Sequence, residues 1–353
     1  MTIDFKKLNI LLLIGFKTKL ILKKTRLLCL NCNKRFDMFY GDIVNFRFRC
    51  SNELFFNIIS DLKHTSSTFK DVANRNFVST GVVIRYAHLF SFFMQWENIT
   101  SLPNHIGIDE FKGNCDGSKY LFHIFDLDTS KTICILKSRK CDDLISFFNS
   151  IENRNEVELV TMDLYSPFKN AVKAKLKNAT IVADRFHYTR VVSNSLDELR
   201  LQIWRNLPKE EKKFFKYIKL ALLKDKINIA EEKTIEHKLK LERAFEHNRD
   251  LEKGYNLYQD FLRIKNGNNY HQKAKLFSTW IDRALSSGLT EFESAANTLL
   301  QWNKEILNSF KYTYTNSSTE GKNNKIKVIK RTAYGFRKTK NFQIRIMLSD
   351  LSI

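Results

Sequence analysis

Asp109, Asp163 and Glu320 are the residues of this sequence best suited to do chemistry. Asp109 stands in the apolar run IGIDEF, and Asp163 closes the apolar run ELVTMD. Burying a carboxylate in a strand is costly unless something answers its charge. Divalent cations supply such an answer: two ions about 3.5–4 Å apart, held by Asp and Glu, can activate an attacking oxygen and stabilise the leaving oxygen of a phosphodiester. Mg2+ suits a set of hard oxygen donors, and Mn2+ can replace it. The plain alternative is that each acid is a strand-end or surface residue, the usual state of an aspartate in a strand. Against it stand the matching strand positions of the first two and the setting of the third. Glu320 heads a basic segment carrying Lys322, Asn323, Asn324, Lys325, Lys327, Lys330 and Arg331. Spacings of three and four put several of these cations near one helical face beside the acid. Such a face could grip phosphates flanking a scissile bond; a solvated basic helix explains the charge equally well.

The elements around these acids follow from periodicity. IGIDEF, YLFHIFDLDT and TICILKSR read as three successive strands of an antiparallel meander. Residues 142–151 read as an amphipathic helix, 158–163 as a strand ending on an acid, 168–176 as a helix and 180–184 as a further strand. The order βββαβαβ, with acids on the first and fourth strands, is the ribonuclease-H arrangement, in which those two strands lie side by side. The predicted fold is therefore an α/β ribonuclease-H-like core with a mixed five-stranded sheet. Its first part spans 105–195. An all-helical stretch rich in Lys, Glu and Leu follows over 196–310, without a convincing repeat. The core resumes over 311–353, with helices at 320–332 and 339–348.

The segment ahead of the core divides in two. Residues 1–48 alternate apolar and basic residues and read as short strands around the knuckle Cys29-Leu30-Asn31-Cys32. Residues 49–98 turn helical. One short helix starts near Thr68 and a second at Ser79, whose type suits an N-cap. Two short helices with a tight connection predict a helix-turn-helix whose second helix, carrying Arg85, reads DNA.

Composition agrees with a polyanionic partner. The chain has 353 residues, 43% of them apolar, and a formal charge of +21 from 59 Lys and Arg against 38 Asp and Glu. That much apolar content excludes a disordered chain, and that much positive charge points first to nucleic acid. The run LNILLLIGF is too short to span a bilayer, which takes about 20 residues, and lacks a small-residue cleavage site. It reads as a strand, so no membrane span is expected. Six cysteines, scattered except for Cys29 and Cys32, fit a reducing cytoplasm rather than a disulfide framework.

The words IGIDEFKGN, VTMDLYSPFKNAV, NATIVADRFHYTRVV, LQWNKEILNSF and TEGKNNKIKVIKRTAYGFRKTKNFQIRI occur in one order along residues 106–346. With them the chain resembles the DDE transposases of the ISL-three family of bacterial insertion sequences, from about residue 17 to its end. The resemblance implies that Asp109, Asp163 and Glu320 are the first, second and third catalytic acids and hold the metal, two Mg2+ or Mn2+ ions. The 157-residue step from Asp163 to Glu320 is filled in that family by a helical insertion. Asp184-Arg185-Phe186-His187 resembles the Asp-x-x-His signature of transposases with such insertions. Asp184 and His187 would then orient a metal ligand or contact DNA, or else form a structural pair. Trp302, on an apolar helical face, is better explained by core packing than by stacking on a flipped base.

The family also begins with a zinc ribbon of two knuckles, since four thiolates close a structural zinc site. Cys29 and Cys32 match the second knuckle, and the first is absent. Either the reading frame is truncated or the ribbon has decayed, and a native zinc site is not expected from two thiolates. By resemblance the protein binds the terminal inverted repeats of its element, cleaves each end to free a 3′-hydroxyl and joins it to target DNA. It would work in the bacterial cytoplasm on the nucleoid and self-associate on DNA. Two rivals remain: a truncated or decayed copy that only binds DNA, and a ribonuclease-H-like nuclease that cuts but never joins.

Overall fold

The computed structural model describes residues 2–9, 18–37, 41–43, 50–137, 140–226, 231–267, 269–312, 314 and 317–351. Strands β1 (Thr2–Asn9), β2 (Lys19–Leu28) and β3 (Arg35–Asp37) form an antiparallel sheet in that order. The apolar run expected to be a strand contributes only Leu8 and Asn9 to β1; its residues 10–16 lie outside the described residues. Helices α1 (Asn52–Lys63), α2 (Phe69–Arg75) and α3 (Thr80–Phe93) follow. Next come β4 (His105–Cys115), β5 (Ser118–Asp126), β6 (Thr132–Leu136), α4 (Cys141–Asn149), β7 (Leu159–Met162), α5 (Ser166–Lys175) and β8 (Thr180–Ala183). A helical run then comprises α6 (Arg185–Asn206), α7 (Lys209–Tyr217), α8 (Lys219–Leu222), α9 (Glu231–His247), α10 (Arg249–Asn266), α11 (Tyr270–Leu285), α12 (Thr290–Gln301) and α13 (Asn303–Lys311). Helices α14 (Ser317–Thr332) and α15 (Thr339–Ser349) close the described chain.

The second sheet is mixed and five-stranded, in the order β6-β5-β4-β7-β8. This is the sheet expected of a ribonuclease-H-like core. β5 pairs antiparallel with β6, whereas β4 with β7 and β7 with β8 are parallel. All four residues of β7 are buried, as parallel strands covered on both faces require. The register sets Ile108 opposite Met162. Those residues immediately precede Asp109 and Asp163. β4 runs four residues beyond the predicted strand end because its turn to β5 is only Asp116 and Gly117, at φ 47° and 79°, the backbone a tight hairpin demands.

The chain divides into two compact units, one of residues 1–102, 109–153 and 319–353, the other of 103–108 and 154–318. In the first, Leu54, Ile58, Leu62, Val72, Val83 and Ala87 of α1–α3 share a core with Ile344 and Leu348 of α15. Thr68 caps α2 with a full capping box shared with Asp71. Ser79 occupies the cap position of α3, but its hydroxyl makes no cap hydrogen bond, contrary to its sequence promise. A second core joins Phe111 and Leu121 to Ile326 and Ile329 of α14 and Phe342 and Ile346 of α15.

The second unit is built on α6, α10 and α12. Gly254 of α10 lets these helices meet: a β-carbon there would lie 2.7 Å from Leu199 Cδ2 and 3.0 Å from Phe292. Trp280 is buried and donates its indole N–H to the Leu257 carbonyl at 2.7 Å. Asn308 of α13 donates to the Ile181 carbonyl of β8 at 2.8 Å, closing part of that sheet edge. Trp302 is 3% exposed, with the Lys169 ammonium 4.5 Å from its ring centre, as core packing requires. Among the described residues no helix is long and apolar enough to cross a membrane.

Candidate active site

Asp163 leaves the end of β7, Asp184 leaves the end of β8, and His187 lies in the first turn of α6. The parallel pairing of β7 with β8, which sets Met162 opposite Ala183, brings the two acids to the same end of the sheet. Asp184 is also the N-cap of α6, accepting the Phe186 amide at 3.1 Å. Its own amide donates to the Met162 carbonyl at 2.8 Å, prolonging the ladder by one rung. His187 then falls one helical turn inside the cap. Its Nδ1 lies 2.9 Å from Asp184 Oδ2 and 2.7 Å from Asp163 Oδ1.

One ring N–H cannot serve both oxygens. The hydrogen bond goes to Asp184, and Asp163 Oδ1 stays buried without one despite its close contact with the ring. Burial by itself would depress the His187 pKa, but the adjoining carboxylates Asp163 and Asp184 outweigh it and push the pKa up to about 9. The ring thus lies as counter-charge between the half-buried Asp163 and the buried Asp184.

The ligating atoms of Asp163, Asp184 and His187 all lie within 4.8 Å of one another. A buried carboxylate oxygen with no hydrogen bond, beside a second carboxylate and an imidazole, is a donor set that fits a divalent cation. A cation entering there would take over the counter-charge that the imidazolium proton supplies.

Asp109 is 5% exposed on β4. Its carboxylate accepts the Glu110 amide at 2.7 Å and the side-chain amide of Asn323, on α14. Asn323, expected to face DNA, thus donates to Asp109. Glu320 lies in α14, three residues before Asn323.

The cations of α14 divide between two settings. Lys322 is 7% exposed and pairs with Asp350 at 3.1 Å while donating to the Ser130 carbonyl. Burial lowers its pKa, partly countered by Asp350. Lys325 donates to the Ser349 carbonyl and lies 3.4 Å from Asp350. Ile326 and Ile329 share this buried side, whereas Asn324, Lys327 and Arg331 are exposed. Lys330 is half-buried and donates to the Lys112 carbonyl at 2.6 Å. Asp350 had no sequence signal, being a lone acid near the end of a basic segment.

Arg85 is exposed on α3. Arg345 of α15 is buried, and its guanidinium donates to the carbonyls of Leu62, His64 and Ser67. It thereby caps the end of α1 and ties the α1–α2 connection to α15. Burial draws its pKa down to about 10. Cys29 and Cys32 sit on one turn, with the Cys29 amide donating to the Lys34 carbonyl at 2.9 Å. Hydrogen bonds from the Cys32 and Asn31 backbone, then from Cys32 itself, lower the Cys29 pKa. Among the described residues no third ligand joins them.

A family profile described as transposase, of the DDE ISL-three group, matches residues 106–346. The chain is 24% identical over 250 residues to the transposase for insertion sequence element IS1001 of Bordetella parapertussis, a match over 69% of this chain and 60% of that one. It is 38% identical over 98 residues to an ATP-dependent protease of Lactococcus lactis subsp. lactis, covering 28% of this chain and 30% of that one. The chain thus spans less than two thirds of the length of either relative.

Proposed function

Because the chain belongs to the ISL-three family of DDE transposases, we propose that it cuts and joins DNA at the ends of an insertion sequence, with Asp109, Asp163 and Glu320 as the catalytic carboxylates. The observation that carries this reading is the Asp163 oxygen, buried without a hydrogen bond beside Asp184 and His187. Asp109 is assigned by the family match that spans it. Glu320 is assigned by its place in the family pattern.

When bound, divalent metal supplies positive charge for an in-line phosphoryl transfer, activating the attacking oxygen and stabilising the leaving one. Mg2+ or Mn2+ fits the oxygen-rich set, in two ions if both strand-end acids take part. The chain's own residues do the rest. Asn323 fixes the Asp109 carboxylate. Asp184 both caps α6 and fixes the His187 ring, and the His187 ring holds its place against Asp163 at 2.7 Å. The exposed cations Lys327 and Arg331 with Lys330 and Asn324, and Arg85 on the second helix of the predicted helix-turn-helix, hold phosphates of the terminal repeats and the target. Two ends must meet for joining, so we expect self-association on DNA.

The test is cleavage and strand transfer on duplexes bearing the element's ends. Asp109→Ala, Asp163→Ala and Glu320→Ala should each abolish Mg2+-dependent nicking and joining while leaving the gel shift intact. Normal cleavage by the Asp163→Ala protein would refute the assignment. Shifted DNA without nicking by the wild-type protein would mean a copy that only binds.

A further inference from the structure

We infer that the turn between α14 and α15 binds an unpaired DNA base on Tyr334 and the phosphates next to it on the surrounding cations. The inference rests on the transposase reading and adds to it a strand-specific contact.

A cavity of about 840 Å3 opens here, lined by Lys112 of β4, by Lys327, Lys330 and Arg331 of α14, and by Tyr334 and Arg337 of the turn that follows. Five cations line it, and among the described residues no acidic side chain does. Unlike Lys322 and Lys325, none of the five forms an ion pair with a carboxylate among the described residues. A row of cations without acids is suited to a phosphate backbone.

Tyr334 gives the cavity its character. The Tyr334 amide donates to the Arg331 carbonyl at 3.0 Å and the Gly335 amide to the Lys330 carbonyl at 2.8 Å. These two bonds make a Schellman ending for α14, with Tyr334 at the left-handed position that normally favours glycine. Its φ is +53°, and the next residue, Gly335, continues at +96°. Tyrosine there opposes the local backbone preference, and its side chain is fully exposed at 101%, so packing does not compensate. An unfavourable conformation held without a folding return points to a contact made outside the fold. A bare phenol ring above a cationic groove matches the chemistry of single-strand binding, in which bases stack on aromatic faces while the backbone tracks basic side chains. A base inside an intact duplex offers no free face, so the ring selects an unpaired one, as at a frayed or newly cut end.

Full-length protein would be titrated with a duplex bearing a short single-stranded tail and with the same duplex blunt-ended. The wild type should prefer the tailed probe. Tyr334→Ala should lose about 5- to 100-fold on the tailed probe and little on the blunt one, and Tyr334→Phe should keep the preference. Tyr334→Gly should lose the preference equally while melting at the same or a higher temperature, because glycine suits the backbone; this separates contact from folding. Lys327→Ala and Arg337→Ala should weaken both probes and each flatten the salt dependence by about one unit of slope. Equal tailed-probe affinity for the wild type, Tyr334→Ala and Tyr334→Gly would overturn the inference, as would a wild type indifferent to the tail. If the wild type binds neither probe, the transposase reading fails along with it; binding and nicking with no role for Tyr334 would sink this inference alone.

Discussion

The His187 imidazole lies 2.7 Å from Asp163 Oδ1 yet gives its Nδ1 proton to Asp184. Asp163 Oδ1 therefore lies against the ring without a hydrogen bond of its own. Replacing the ring by His187→Asn should reduce metal-dependent cleavage about 10- to 100-fold, the usual loss when a residue that orients a metal ligand is removed. The gel shift should not change. Cleavage at the wild-type rate across a Mg2+ titration would count against a positioning role.

The same ring makes a pH prediction for the metal-free protein. A histidine pKa raised to about 9 in the fold contributes stability fully present below the unfolded value of about 6.5 and lost as pH rises through about 9. The contribution is at most about 3 kcal/mol. Divalent metal competes with that proton, so stabilisation by Mg2+ should grow over the same interval. Thermal melts at both ends of it, with and without Mg2+, would show this; stabilisation independent of pH would contradict it.

Lys322 and Asp350 form a buried pair, their side chains 6% and 9% exposed. Lys322→Ala or Asp350→Asn should destabilise the protein by about 3–5 kcal/mol, because the remaining charge is left buried and alone. Burial raises the Asp350 pKa, but Lys322 and the Thr132 hydrogen bonds outweigh it and hold it below the ordinary value. Its stabilisation is therefore present above the unfolded carboxylate value of about 3.9 and lost as pH falls through the lower folded one. Urea titrations over that acid range would test this. For any Lys322 variant that folds, the salt slope of DNA binding should match wild type, unlike that of Lys327→Ala.

Arg345 serves three carbonyls at the end of α1. Arg345→Met should cost about 3 kcal/mol or more, since each lost hydrogen bond from a charged donor is worth about 1.5–3 kcal/mol. Limited proteolysis should find the α1–α2 connection newly exposed. Unchanged urea stability would contradict this account.

Much of the core was legible in order and kind. Alternating and continuous apolar runs marked β4 to β8, and the helical period marked α4, α5 and the helical character, though not the separate helices, of the stretch that holds α6 to α13. Boundaries shifted where a local rule acted: Pro167 in the first turn let α5 begin at Ser166 rather than Phe168, and the Asp116-Gly117 turn lengthened β4. Side-chain destinations were much less legible. Helical spacing could list the cations of α14 but could not say that two of them turn inward. That depended on Asp350, from the far end of α15, reaching Lys322 and the Thr132 amide.

By itself the sequence determined which acids could do metal chemistry, the strand and helix order that carries them, and the basic character of the partner surface. These follow from residue type and period, which act over a few neighbours. Only the tertiary structure decided that His187 would answer for two carboxylates, that Asn323 would hold Asp109, and that Tyr334 would stand bare in a left-handed turn. Those outcomes depend on strand register and on contacts between residues distant in the chain, and no local rule of spacing carries that information.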